Sequence, residues 1–296
     1  MKVLVAGASG FVGRRLCPAL AETGHDVAAM TRHPAAYAGA GTPVQADVHH
    51  PGTLGAAMAG CQAAYYLVHS LSDADFERKD AAAATAFGQA GARAGLQRII
   101  YLGGLGDDRD ALSAHLRSRR EVEKLLGSAG VPVTVIRAGI IVGHGGISWE
   151  LTRQLVEHLP AMITPRWVAT RTQPIAVDDV VRYLLGVLAR PEAAGRVFEA
   201  GGPEVLQYVT MLRRVAAIQG PPAPDPVRAA AHPPAVLPVA DPGHRRRHSH
   251  RPGAHRLDDQ RGHRAGPLDP RPHALRPDAL RRRRAEGARR TRPSQA

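Results

Sequence analysis

A doubly wound parallel α/β sheet is the fold class that this sequence predicts, and three observations predict it. Short apolar runs alternate with stretches of helical period from the first residues as far as Arg137. Those runs show almost no polar alternation, as strands covered on both faces require. The first run also ends in a glycine-spaced turn that opens directly into a helical stretch.

Taken in order, residues 2–6 (KVLVA) read as a buried strand that stops at Gly7. A helix follows through Leu16 and Leu20 to Gly24, with Pro18 predicting a local kink. His25–Met30 is the second strand and ends at Thr31-Arg32-His33-Pro34; Val44–Asp47 is the third. A helix over about 51–59 leads to the fourth strand, Ala63–Val68, and an Ala-rich helix over 75–94 leads to the fifth, Arg98–Leu102. A helix over 115–128 and a sixth strand, Pro132–Arg137, complete the series. No internal repeat occurs.

Each glycine of Gly7-Ala8-Ser9-Gly10-Phe11-Val12-Gly13 has a physical task. Gly7 permits the tight turn, Gly10 lets backbone approach a pyrophosphate, and Gly13 lets the helix pack against the strand. The helix start offers free N–H groups and partial positive charge to phosphates. Ser9, Phe11 and Val12, between the glycines, complete this candidate cofactor turn. The bland alternative is a glycine-rich turn that holds nothing.

The spacing is Gly-x-x-Gly-x-x-Gly, and with it the sequence resembles the extended and atypical short-chain dehydrogenase/reductase superfamily over about residues 1–215. YYLVHSL (65–71), RAGIIVG (137–143), residues 159–180 and GRVFEAGGPEVL (195–206) are similar to its NmrA-like or epimerase/dehydratase-like NAD(P)-binding group. The resemblance implies a Rossmann-type fold and a nicotinamide cofactor. Where an NAD site places an acid for the ribose 2′-OH, this chain has Thr31-Arg32-His33. A cation there suits a 2′-phosphate, which favours NADP(H) and leaves NAD(H) open; a solvated surface Arg32 is the alternative. The resemblance also implies that Asp47 contacts the adenine amine with Val48 beside it. It places Val68, His69 and Ser70 under the nicotinamide ribose, Gly103 at the end of the fifth strand and Ala138 beside the nicotinamide. For His69 a packed or backbone-bonded ring is weighed above an acid/base role.

Most of this superfamily uses Tyr-x-x-x-Lys with a Ser or Thr after the fifth strand. Here no Tyr has Lys four residues later, and Gly103-Gly104 stands where the Ser is usual. Aligned on Glu121-Val122-Glu123, His115 falls at the Tyr position and Arg119 at the Lys position. Four residues apart on one helix face, they are the candidate catalytic pair, His115 shuttling a proton near neutral pH and Arg119 bonding the ribose. The alternative is two surface residues on a charged helix. The resemblance further implies substrate-cleft elements at about 141–175 and 190–220, with Arg166 and Trp167 as wall residues. Asp178-Asp179 reads as a helix start rather than a metal pair, and no His/Cys cluster has metal-ligand spacing.

The formal charge of the 296-residue chain is +13, from 39 Lys+Arg and 26 Asp+Glu. Residues 221–296 hold 17 of those cations, all Arg, and only 7 of the acids, so most of the excess sits in one quarter of the chain. That quarter has 14 of the 24 Pro and 7 of the 15 His, and no aromatic residue or Lys. It is therefore expected to be a disordered basic tail. A nucleic-acid arm, an inert extension and a shifted reading frame are its three readings, of which the last fits the Arg/Pro/Ala/Gly/His composition best. The division expected is a cofactor-binding domain over 1–220 and the tail over 221–296. A nucleic-acid partner is disfavoured and no membrane segment is predicted. Cys17 and Cys61 suit a reducing cytoplasm. The function expected is that of an NADP(H)-binding oxidoreductase or epimerase-like enzyme on a small molecule. A non-catalytic dinucleotide-sensing or assembly protein is the alternative, and oligomeric state is left open.

Overall fold

The computed structural model describes residues 1–69, 75–106, 113–158 and 170–220. The predicted tail, residues 221–296, lies outside them. The elements are β1 (Lys2–Ala6), α1 (Gly13–Glu22), β2 (Asp26–Thr31), β3 (Thr42–Gln45), α2 (Leu54–Met58), β4 (Ala63–Tyr66), α3 (Phe76–Arg93), β5 (Arg98–Gly104), α4 (Ala114–Leu126) and β6 (Val133–Ala138). Then come β7 (Ile141–Val142), α5 (Ile147–His158), β8 (Arg171–Thr172), β9 (Ile175–Ala176), α6 (Val177–Leu188), β10 (Val197–Ala200), β11 (Leu206–Gln207) and α7 (Tyr208–Gln219).

Seven strands form one parallel sheet in the order β10-β6-β5-β4-β1-β2-β3. The six strands read from the sequence are all present. The seventh, β10, adds to the free edge of β6 with Val197 opposite Val135. Its sequence, VFEA, is too short and too exposed along one side to show apolar periodicity.

The pleat sorts the core into two layers. Leu4, Ala28, Ala64, Tyr66, Ile99 and Tyr101 face α2, α3 and α4. Val3, Val5, Val27, Ala29, Tyr65 and Ile100 face α1 and α6. Small residues set the spacing: a Cβ on Gly88 of α3 would strike the Leu126 carbonyl of α4. On the other face, Arg98 Nη1 donates to the carbonyls of Val187, Leu188 and Arg190 at 3.2 Å each, a cation at the C-terminal end of α6. Asp178 and Asp179 lie in the first turn of that helix, and Asp179 pairs with Arg182, as expected of a helix start. Helix α1 runs on through Pro18.

Beyond β6 the chain makes two small sheets, β7 parallel to β9 and β8 antiparallel to β11. They hold α5 and α7 beside the C-terminal ends of the main strands; Thr152 Oγ1 and Tyr208 Oη meet at 3.4 Å.

Candidate functional site

The strand order reverses direction at β1, whose partners are β2 on one side and β4 on the other. Open α/β sheets have their crevice at such a switch point, beyond the carboxyl ends of the strands. The turn after β1 forms one bank of that crevice; the loop after β4, with α4 and the ends of β5 and β6, forms the other.

The first bank is built from backbone. Gly7 has φ 89, and a Cβ there would meet the Leu67 carbonyl at 3.1 Å, so β1 and the β4 loop are in close approach. Gly10 N donates to Gly7 O at 2.9 Å, and a Cβ on Gly13 would sit on that same carbonyl. The first helical bond is Arg14 N to Gly10 O, which leaves the N–H groups of Phe11, Val12 and Gly13 at the head of α1 with no carbonyl behind them. The tight turn at Gly7 and the close packing of α1 against it at Gly13 are thus both present in the geometry.

A feature that the sequence did not indicate lies over this turn. The Arg15 guanidinium stacks 4.6 Å from the Phe11 ring centroid, donates to Phe11 O at 2.9 Å and to His144 O at 2.8 Å. A Cβ on Gly146 would come within 2.8 Å of the Phe11 ring. The glycine-rich loop 143–146 therefore closes against Phe11.

At the end of β2, Thr31 is buried and Arg32 stands exposed, with no ion pair among the described residues. Strand β3 ends at Gln45, two residues short of the predicted end, so Asp47 sits in a turn. Its Oδ1 accepts from His49 N at 3.0 Å and its Oδ2 faces His50 Nδ1 at 3.2 Å. Burial works against the ionised form, but these N–H donors and the two imidazoles outweigh it and hold Asp47 below the usual carboxylate range. Val48 beside it is buried.

The second bank is built from side chains. Strand β4 also ends earlier than predicted, at Tyr66, so Val68 and His69 belong wholly to the loop. Ser70 lies outside the described residues, as do Arg166 and Trp167. Ala138 ends β6 and is buried. Opposite the loop, Ser113 caps α4, accepting from Leu116 N at 3.4 Å, and α4 carries His115 and Arg119 one turn apart. Arg119 Nη1 donates to the Tyr101 hydroxyl of β5 at 3.4 Å. His115 is half-buried, so the surface-residue alternative does not describe it. Lost hydration, then Arg119, then His69 lower its pKa to about 4. That corrects the expectation of a histidine titrating near neutrality. His69 keeps an exposed face, yet its ring reaches in far enough for lost hydration and the Arg119 cation to lower its pKa too.

Two acids complete this bank, and no sequence motif marks either as a site residue. Asp80, near the start of α3, is 5% exposed and opposes the lowering at both histidines. Its only signal was one carboxylate leading an alanine run. Glu123 of α4 accepts from Arg120 Nη1 at 3.0 Å and from Arg137 Nη2 at 2.8 Å, with all three side chains largely buried. Arg120 also donates to Gly104 O at 2.9 Å and Gly106 O at 2.7 Å, fixing the strand end. This packing accounts for the glycines where a Ser is usual. A Cβ on Gly103 would come within 3.0 Å of Glu123 Oε1, and one on Gly104 within 2.6 Å of Leu116 Cδ2.

Among the described residues, no three His, Cys, Asp or Glu side chains are placed to hold a metal ion, and no helix is long and apolar enough to cross a membrane.

A family described as NAD(P)H-binding matches residues 7–189. Over 232 residues the chain is 26% identical to a (4-alkanoyl-5-oxo-2,5-dihydrofuran-3-yl)methyl phosphate reductase of Streptomyces griseus, covering 74% of each protein. It is also 26% identical over 223 residues to an uncharacterised protein of Mycobacterium tuberculosis, covering 75% of this chain but only 24% of that one. Among solved structures, MoeE5 in complex with UDP-glucose and NAD is similar at TM-score 0.62 and 20% identity, covering 74% of this chain and 82% of that one. A short-chain dehydrogenase/reductase superfamily protein from Agrobacterium tumefaciens with bound NAD gives 0.61 and 18%, covering 75% and 84%. A UDP-glucose 4-epimerase from Thermotoga maritima gives 0.61 and 16%, covering 77% and 88%. At these identities the structural likeness is one of fold.

Proposed function

This chain belongs to the NAD(P)H-binding family, and on that premise we propose that it is an NADP(H)-dependent oxidoreductase of short-chain dehydrogenase/reductase type acting on a small carbonyl compound. The observation that carries the cofactor reading is the glycine turn itself, closed on its own backbone so that the N–H groups of Phe11, Val12 and Gly13 have no carbonyl partner at the switch point of the sheet. The N–H groups of Ser9, Phe11, Val12 and Gly13 would hold the pyrophosphate there. The adenosine end would meet Arg32 at its 2′-phosphate and Asp47 and Val48 at its adenine. The loop of Val68, His69 and Ser70, with Gly103 and Ala138, would border the nicotinamide. When bound, the nicotinamide supplies or takes up the hydride. Arg119, at the position of the usual Lys, would hold the ribose hydroxyls through its fork of N–H donors. His115 is neutral at pH 7, so its ring N–H would donate a hydrogen bond to the substrate oxygen. The Streptomyces griseus relative, a reductase by name, supports this class of reaction.

Fluorescence titration with NADPH and NADH tests the reading. NADPH is expected to bind the tighter, and Arg32→Ala to weaken NADPH about 10- to 100-fold, the worth of a charge-assisted bond, while sparing NADH. An equal loss for both removes Arg32 from the 2′-phosphate, and no binding below about millimolar for either overturns the reading. NADPH oxidation across a panel of carbonyls and quinones then tests turnover. Tight binding with no oxidation would favour the second reading, a dinucleotide sensor, which Gly103-Gly104 and the missing Tyr-x-x-x-Lys support.

A further inference from the structure

The helix that opens on the glycine turn breaks a local rule. A cation is unfavourable in the first turn of a helix, where the dipole is positive, yet α1 carries Arg14 and Arg15 there and no acid. Arg14 is exposed, but Arg15 is half-buried and has no ion pair among the described residues. Its guanidinium spends its fork of donors on two carbonyls, Nη1 on Phe11 O at 2.9 Å and Nη2 on His144 O at 2.8 Å. No backbone N–H reaches Phe11 O among the described residues, because Arg15 N donates to Val12 O instead. Phe11 O belongs to the same peptide group as Val12 N–H, and in a trans peptide the two point in opposite directions. Val12 N–H is one of the groups at the head of α1 with no carbonyl behind it. A cation on the oxygen fixes the tilt of that peptide plane and polarises it, which makes the N–H on its far side a stronger donor. The second prong is anchored as well. Gly146 N donates to Gly143 O at 3.1 Å, Gly145 N donates to Glu150 Oε1 at 3.2 Å, and a Cβ on Gly143 would lie 3.2 Å from the Phe11 ring.

We propose that Arg15 is a positioning residue for the dinucleotide, acting on the pyrophosphate through the Phe11–Val12 peptide group while the loop 143–146 holds the guanidinium in place. This rests on the cofactor reading and adds to it a side chain from outside the glycine turn. Its effect falls on the pyrophosphate, which NADPH and NADH share, whereas Arg32 would act on the 2′-phosphate that only NADPH carries.

Fluorescence titration of Arg15→Ala in the full chain, together with amide NMR of the cofactor-free protein, tests this. Affinity for NADPH and for NADH is expected to fall by the same factor, roughly 10-fold, the worth of a charge-assisted bond. The amide resonance of Val12 is expected to move more than those of Phe11 and Gly13, whose peptide carbonyls, Gly10 O and Val12 O, the guanidinium does not touch. A side chain that merely stabilised α1 would not single out Val12. Unchanged affinity, a loss confined to NADPH, or a Val12 resonance that moves no more than its neighbours overturns the proposal. Arg15→Lys keeps a cation that can reach Phe11 O but cannot fork to His144 O, so its affinity should lie between the other two. It decides the matter if Arg15→Ala does not fold, since affinity equal to that of the unaltered chain for both dinucleotides would show that the fork is not needed. Should the unaltered chain bind neither dinucleotide, the cofactor reading falls. Inorganic pyrophosphate then serves as the probe: a Val12 shift that Arg15→Ala abolishes carries the proposal, and no shift overturns it.

Discussion

The two banks of the crevice solve the same problem with opposite materials. The turn over 7–13 contains no charged side chain and is set by backbone, Gly10 N on Gly7 O within it and Gly7 in close approach to Leu67. The bank formed by the ends of β5 and β6 with α4 is held by charge, through pairs 14 to 18 residues apart: Glu123 with Arg137, Arg120 with Gly104 and Arg119 with Tyr101. A backbone cradle fits one chemical group and tolerates almost no substitution. A bank of charges can change its ligand by changing one side chain, because the scaffold beneath it stays. On the function proposed above, the cofactor would fall to the first bank and the substrate to the second.

Three substitutions and one pH titration would break or sharpen that contrast. The largest effect is expected from Glu123→Ala, which removes the carboxylate shared by two buried guanidinium groups. Breaking a buried pair costs about 3–5 kcal/mol, read from urea unfolding; a loss under about 1 kcal/mol would mean that the second bank does not depend on this charge. Gly13→Ala comes next, at about 1–3 kcal/mol for forcing a methyl group onto the Gly7 carbonyl. Its loss of NADPH affinity should be out of proportion to its loss of stability, and retained affinity would show that the turn can relax. The smallest effect is the pH dependence of His115. Its folded pKa is about 4 against an ordinary 6.5, so the unfolded chain binds the proton first as pH falls. Its contribution is therefore fully present above about pH 6.5 and is lost as pH drops toward 4. Arg119→Gln should move the NMR titration midpoint of His115 upward, and an unchanged midpoint would separate the two residues.

How much could be read from the sequence follows the same division. The glycine turn and six of the seven sheet strands were evident because glycine spacing and apolar runs are local signals. Strand β10 was not, since four residues at a sheet edge bury too little to stand out. Strands β3 and β4 ended early where Asp47 and the β4 loop turned away, a matter of tertiary hydrogen bonding. His115 and Arg119 were picked out by resemblance, at the family's Tyr and Lys positions in a helix aligned on Glu121-Val122-Glu123. Their chemical state was not, because the pKa of His115 depends on His69 and on burial that no helix period reveals. Glu123 and Asp80 illustrate the same limit: a buried acid has the same letter as a surface one until its partners are placed.

The last strand of the sheet has a practical consequence. The matched family segment ends at residue 189, but β10, which covers the outer edge of β6, spans Val197–Ala200. A chain cut after residue 189 would keep every residue of the glycine turn and yet present the β6 backbone as an open, apolar strand edge. Such an edge is a template for another chain, and aggregation is the outcome to expect of it. The smallest unit in which β6 is covered is thus longer than the smallest unit that contains the glycine turn.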